Sequence, residues 1–188
     1  VTQMYEENGV EIPPVTAGLL CAAIISDTLL FRSPTCTEMD RRTAEKLAET
    51  AGVVLEELAA EMFNAGSNLK GKSAKEICFQ DFKQFTVGDT VFGVGQINSM
   101  SGEELEEIKK KLIPYLSQTR EEHKLNMVYF MLTHILHEST ELLCAGENAK
   151  ETVLEAFELP DDMDPVILKG VVSRKKQLIP ALVSALQQ

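Results

Sequence analysis

Three consecutive cations, Arg174, Lys175 and Lys176, follow Ser173 at the start of "QLIPALVSAL", an apolar stretch spaced like a helical face. Serine is a favoured N-cap, and Pro180 is tolerable only near a first turn, so the spacing predicts a helix that begins here. A helix N-terminus carries partial positive charge, which disfavours cations. A local rule broken with no compensation in view points to a functional site, and the compensating group would be an anion. Phosphate is the natural one, because arginine offers a two-pronged fork, lysine a point charge, and helix N–H groups point outward. A solvated charged turn is the plain alternative.

Three other places carry chemistry-bearing side chains. Asp27 closes the apolar run "AGLLCAAIISD", where a buried carboxylate needs a hydrogen bond, a counter-ion or a metal. A helix-terminal aspartate bonded to nearby backbone is the bland reading. Lys83 alternates with Phe82 and Phe85 in "QDFKQF", as residues of a strand do. A lysine there reads as a surface charge on one sheet face. His134 and His137 in "HILHEST" resemble a metal pair beside Glu138, but no zinc motif surrounds them. "GVGQIN" lacks both phosphate-loop patterns, so Gly93 and Gly95 read as sites of close strand packing or a bulge. No Ser/His/Asp or Cys/His arrangement supports nucleophilic catalysis.

The elements that must position these residues fall into two textures. The first third is helical. "VTAGLLCAAIISDTLLF" is apolar enough to be buried on all sides, and Thr37 and Asp40 form a capping signal for "EMDRRTAEKLAETAG", which Gly52 ends. "VVLEELAAEMFNAGSNL" gathers Leu55, Leu58, Ala59, Met62 and Phe63 on one face. "GSNLKGKS" is the expected boundary. Beyond it strands and helices alternate: a hairpin around Gly88-Asp89, a surface helix with Leu105, Ile108 and Leu112 inward, strands in "NMVYFMLTHIL" and "STELLCAG", a helix in "NAKETVLEAFEL", and a strand in "DPVILKGVV".

Composition bounds the function. The chain has 188 residues and a net charge of −11, which argues against a nucleic-acid surface spread over the protein. It also makes a local cationic cluster more informative. The longest apolar run, "AGLLCAAII", is too short for a bilayer, which needs about twenty residues, so no membrane role is expected. Four scattered cysteines without a C-x-x-C pair read as reduced thiols of a cytoplasmic protein. The opening "VTQMYEENGV" is acidic, does not read as a secretory leader, and looks like mid-helix, as in part of a longer protein.

The strings "SDTLLFRSPT", "DFKQF" and "SRKKQ", in that order and separation, resemble family II inorganic pyrophosphatases, the manganese-dependent branch of the DHH phosphoesterase superfamily. The resemblance covers essentially the whole chain and implies an α/β fold. Residues 1–66 would be a helical remnant of the parallel-sheet DHH catalytic domain, 67–73 a linker, and 74–188 a smaller mixed-sheet, DHH-associated C-terminal domain that closes over the substrate. It implies that Asp27 ligates a metal (manganese, with magnesium or cobalt as substitutes) and that Lys83, Arg174 and Lys175 bind pyrophosphate. No catalytic residue is assigned. In the family, metals activate water for in-line attack while the cations offset phosphoryl charge. The family's early His/Asp cluster and Asp-His-His motif are absent, so the metal site would be incomplete and the chain inactive alone. Its expected partners are pyrophosphate, the missing N-terminal DHH domain and, in the full-length protein, a second copy in a homodimer. A DHH-superfamily exopolyphosphatase and a non-catalytic phosphate-binding module are the alternatives.

Overall fold

The computed structural model describes residues 1–66, 69 and 71–187. The chain forms two compact units, Val1–Gly66 and Ser67–Gln188. Of the stretch read as a linker, residues 67, 68 and 70 lie outside the described residues.

The first unit is four helices: α1 (Thr2–Glu7), α2 (Pro14–Thr28), α3 (Glu38–Ala51) and α4 (Leu55–Gly66). Pro14 sits at the first turn of α2, where a missing N–H costs nothing. Thr37 and Asp40 form a reciprocal capping box at α3, and Gly52 ends that helix with φ +69°. The two bonds from Thr37 hold the Asp40 carboxyl below its ordinary value. Ala17, Cys21 and Ile25 make one stripe of α2, packed on Ala44, Leu47 and Ala48 of α3 and Ala59 of α4. The expectation of burial on all sides fails on the opposite face, where Val15 is 78% and Leu19 69% exposed. In this unit α3 and α4 cover α2 from one side only.

The second unit is a five-stranded sheet between two helical layers. Strands β1 (Phe82–Val87), β2 (Thr90–Ser99), β3 (Met127–His134), β4 (Ser139–Ala145) and β5 (Ile167–Lys169) lie in sequence order. All neighbours are antiparallel except β2 and β3, which run parallel. That pair needs a crossover, supplied by α6 (Gly102–Glu122). Gly88 turns the β1–β2 hairpin with φ +56°, as a two-residue loop with glycine first requires.

One sheet face, with Phe130 and Leu132, packs on Ile77 and Cys78 of α5 (Ala74–Cys78) and on Ile108, Leu112 and Leu116 of α6. The other, with Phe92, Val94, Tyr129 and Met131, packs on Val153 and Leu154 of α7 (Ala149–Ala156), on Leu178, and on Leu182 of α8 (Ile179–Leu186). Strand β3 is central and buried from Met127 to Thr133. The strand expected in "DPVILKGVV" shrinks to Ile167–Lys169. Val171 and Val172 leave the sheet because side chains, rather than a ladder, satisfy their backbone.

Candidate anion-binding site

Lys83 lies opposite Val94 in the β1–β2 ladder. Directly paired residues share a sheet face, and Val94 belongs to the core beneath Leu178 and Leu182. Lys83 therefore projects on the same face as the last helix. It is exposed and has no hydrogen-bond or ion-pair partner among the described residues.

Polar side chains toward the carboxyl ends of β2 and β3 and at the start of β4 fasten the loop that leads to the basic triplet. The Gln96 amide donates to Thr133 Oγ1 at 3.3 Å and to the Val172 carbonyl at 3.0 Å. The Thr140 hydroxyl donates to the Val171 carbonyl at 2.6 Å. Its single proton is thus spent, so Thr133 must donate in the 2.9 Å contact between the two hydroxyls. Gln177 closes the loop from the other side. Its Oε1 accepts from the N–H groups of Val172 and Ser173, each at 3.0 Å, and its Nε2 donates to the Gly170 carbonyl at 2.6 Å.

Ser173 caps the following turn, accepting from the Lys176 N–H at 3.3 Å. The turn Arg174–Leu178 is a π-helix rather than the start of an α-helix. The Leu178 N–H reaches the Ser173 carbonyl and the Ile179 N–H the Arg174 carbonyl, each five residues back. Pro180, in the first turn of α8, has no N–H for the Lys176 carbonyl, and its ring crowds that carbonyl. A widened turn ahead of it relieves the conflict, and such turns concentrate at functional sites.

Arg174 has a counter-ion, contrary to the expectation of cations without compensation. It is 8% exposed. Its Nη1 donates to the Asp81 carbonyl at 2.8 Å and the Val94 carbonyl at 3.2 Å, and its Nη2 to Asp81 Oδ1 at 2.7 Å. The residue that supplies the charge stands 93 positions earlier, two before Lys83. Lys175 and Lys176 are exposed, and their ammonium groups have no partner among the described residues. The structure thus brings Arg174 against β1 and β2, on the sheet face that carries Lys83. It adds Asp81, Gln96, Thr133, Thr140 and Gln177 as positioning residues. A local signal exists for Gln177 alone, which stands four residues after the Ser173 cap.

Asp27 belongs to the first unit, in the last turn of α2. It is exposed, not buried, so the desolvation argument for a partner falls away. Its carboxylate has no partner among the described residues. A different argument takes over: the C-terminus of a helix carries partial negative charge, so a carboxylate there favours a cation. Behind it Leu29, Leu30 and Phe31 all have left-handed backbone, with φ of 49°, 51° and 67°, costly for residues with a Cβ. Thr28 holds this reversal. Its hydroxyl donates to the Ile24 carbonyl at 2.7 Å and accepts from the Phe31 N–H at 3.2 Å, while its carbonyl accepts from the Ser33 N–H. Arg41 donates to the Phe31 carbonyl and lies over its ring. Thr28→Val keeps the shape and deletes both hydroxyl bonds, so we expect it to cost the first unit about 2 kcal/mol. Amide exchange in α2 would measure this, and an unchanged rate would remove Thr28 from the role.

His134 and His137 do not form a metal pair. Their rings stack with centroids 3.8 Å apart and planes 6° from parallel, so the in-plane nitrogen lone pairs run side by side and do not converge. Burial, and then the neighbouring His137, lower the His134 pKa from its ordinary value. Among the described residues no group of three or more His, Cys, Asp or Glu is placed to hold a metal ion.

The second unit is thus a mixed-sheet α/β fold with a cationic π-turn at the carboxyl end of a parallel strand pair, a place where α/β sheets bind ligands. The chain belongs to the DHHA2 domain family, which it matches over residues 60–185. It is 41% identical over 189 residues to a manganese-dependent inorganic pyrophosphatase of Methanothrix thermoacetophila, covering all of this chain and 61% of that protein. A cobalt-dependent inorganic pyrophosphatase of Clostridium perfringens is 46% identical over 182 residues, covering 97% of this chain and 33% of that one. The crystal structure of a candidate family II inorganic pyrophosphatase from Methanococcus jannaschii is similar, with TM-score 0.81 and 37% identity, over 95% of this chain and 58% of that chain. The chain therefore spans between a third and about three-fifths of the length of these relatives.

Proposed function

We propose that this chain is the C-terminal, substrate-gripping portion of a manganese-dependent inorganic pyrophosphatase, in which Lys83, Arg174 and Lys175 bind pyrophosphate. The supporting observation is the pair of exposed lysines without a partner among the described residues, Lys83 on the sheet face where Arg174 is pinned and Lys175 next to Arg174 in the turn, in a protein of net charge −11. In this reading residues 1–66 belong to the DHH catalytic domain, 67–73 link, and 74–188 form the substrate-binding domain. The exposed face of α2, with Val15 and Leu19, is where the rest of the catalytic domain would pack, and the full-length protein would pair as a homodimer. Four free cysteines are in keeping with a reducing, cytoplasmic setting. Among the described residues no helix is long and apolar enough to cross a membrane.

Manganese takes several oxygen ligands, and this chain offers one, Asp27. It fits as a single ligand of a site whose other donors the chain does not carry. When bound, the metal ions would supply activated water and charge neutralisation. The chain's own cations would orient the diphosphate and offset charge on the phosphate that leaves. Two measurements test the reading. With pyrophosphate and manganese, the 188-residue chain should release no phosphate above a protein-free control, and turnover at an enzymatic rate would overturn it. In calorimetric titration with pyrophosphate, Lys83→Ala and Lys175→Ala should each weaken binding roughly fivefold, as loss of a partly exposed charge contact does. Unchanged affinity in the double variant would equally refute it.

A further inference from the structure

We propose that Asp81 is a built-in counter-anion for Arg174, which a phosphate group must displace to reach the guanidinium. The inference rests on the reading of Arg174 as a pyrophosphate ligand. The two ends of the guanidinium are held differently. Nη1 is anchored by main-chain carbonyls of Asp81 and Val94, groups fixed by the β1–β2 ladder. Nη2 is held by the Asp81 carboxylate, a side chain that is 51% exposed while that of Arg174 is 9% exposed.

That asymmetry defines what can move. The carbonyl anchors keep the guanidinium in place and fix its plane. The carboxylate is joined to solvent and can rotate outward into water without disturbing the strand. What it leaves behind is an N–H edge already aimed and already accustomed to an oxyanion. A phosphate group carries more charge than one carboxylate and offers oxygens of the same geometry, so it competes for that edge, whereas a monovalent anion gains no charge advantage over Asp81. Asp81 thus acts as a positioning and specificity-determining residue. It offsets the arginine charge when no substrate is present, and it sets a threshold of anion charge for binding.

The test titrates the 188-residue chain and its variants with pyrophosphate and, separately, with inorganic phosphate. Asp81→Asn keeps the side-chain shape and both carbonyl anchors but removes the competing charge. We expect it to bind pyrophosphate roughly fivefold more tightly than the parent, and inorganic phosphate more tightly by a smaller factor, since the benefit scales with anion charge. Asp89→Asn, which removes a charge from the adjacent β1–β2 turn, should change neither. Arg174→Gln, which removes the guanidinium charge, should weaken pyrophosphate binding in the parent and cancel the gain of Asp81→Asn. If Arg174→Gln weakens binding but Asp81→Asn does not tighten it, or Asp89→Asn matches it, or the gain is equal for both anions, then the displacement idea is wrong while the Arg174 reading stands. If Arg174→Gln leaves affinity unaltered in both backgrounds, or neither parent nor Asp81→Asn binds pyrophosphate, the reading of the site is wrong and the inference falls with it.

Discussion

Leu178→Ala will cost the second unit about 3 kcal/mol, the typical loss for a fully buried leucine cut to its Cβ, and on the proposed reading of the site it also weakens pyrophosphate binding. Leu178 is 0% exposed and is the side chain by which the π-turn enters the core, beside Phe92, Val94 and Leu182. The same five residues carry Arg174 and Lys175 at their other end. A widened turn has poorer backbone hydrogen bonding than an α-helix, so its geometry depends on packing. Losing the anchor lets the cations spread over more positions, and affinity falls with their preorganisation. Urea unfolding followed by amide exchange in β3 measures the first effect, and calorimetry on the folded variant the second. A stability loss under about 1 kcal/mol, in the range of an ordinary surface change, would show that the turn is held elsewhere.

Gly146→Ala will be comparably damaging for a backbone reason. Gly146 has φ +124°, and a Cβ there would lie 2.4 Å from the Asn126 carbonyl oxygen and 3.1 Å from Met127 Cα. Both obstacles are main chain, so no side chain can swing aside. Asn126 cannot retreat either, because it exchanges two bonds with Val91, one through its N–H and one through its Oδ1. The substitution must therefore part the start of β3 from the end of β4 or from β2. We expect a loss of more than about 3 kcal/mol, which for a domain of this size lowers the unfolding midpoint by at least about 10 °C. A shift of only two or three degrees would mean that the strand ends tolerate re-registration.

Local chemistry made much of this legible. The Thr37–Asp40 box, the Gly52 stop, the Gly88 hairpin and the inward faces of α4 and α6 follow from spacing alone, because each depends on neighbours within a few residues. The Ser173 cap and the place of Pro180 near a first turn are visible in the sequence too, but the widened turn ahead of that proline is not. What sequence hid was long-range. No periodicity announces that Asp81 will neutralise Arg174, or that Gln96, Thr133 and Thr140 will seat the loop from three strands. The same limit explains α2. Its apolar run states that the helix avoids water on every side, but the exposure of Val15 and Leu19 depends on which surfaces are at hand to cover them. The apolar run before Asp27 suggests burial, which does not hold for this unit, where Asp27 is exposed in the last turn of α2.

The direction of β2 relative to β3 has a kinetic consequence. The β1–β2 and β3–β4 hairpins close over short loops, whereas Phe92 must find Met127 across the whole of α6. Loop closure of that span is slow compared with hairpin formation, so we expect the two hairpins to assemble separately and to zip together last along the centre of the sheet. Gln96 and Thr133 stand on opposite banks of that seam and are bonded across it. The grip on an anion would then be among the latest features to appear during refolding, and the first to vanish when the middle of the sheet opens.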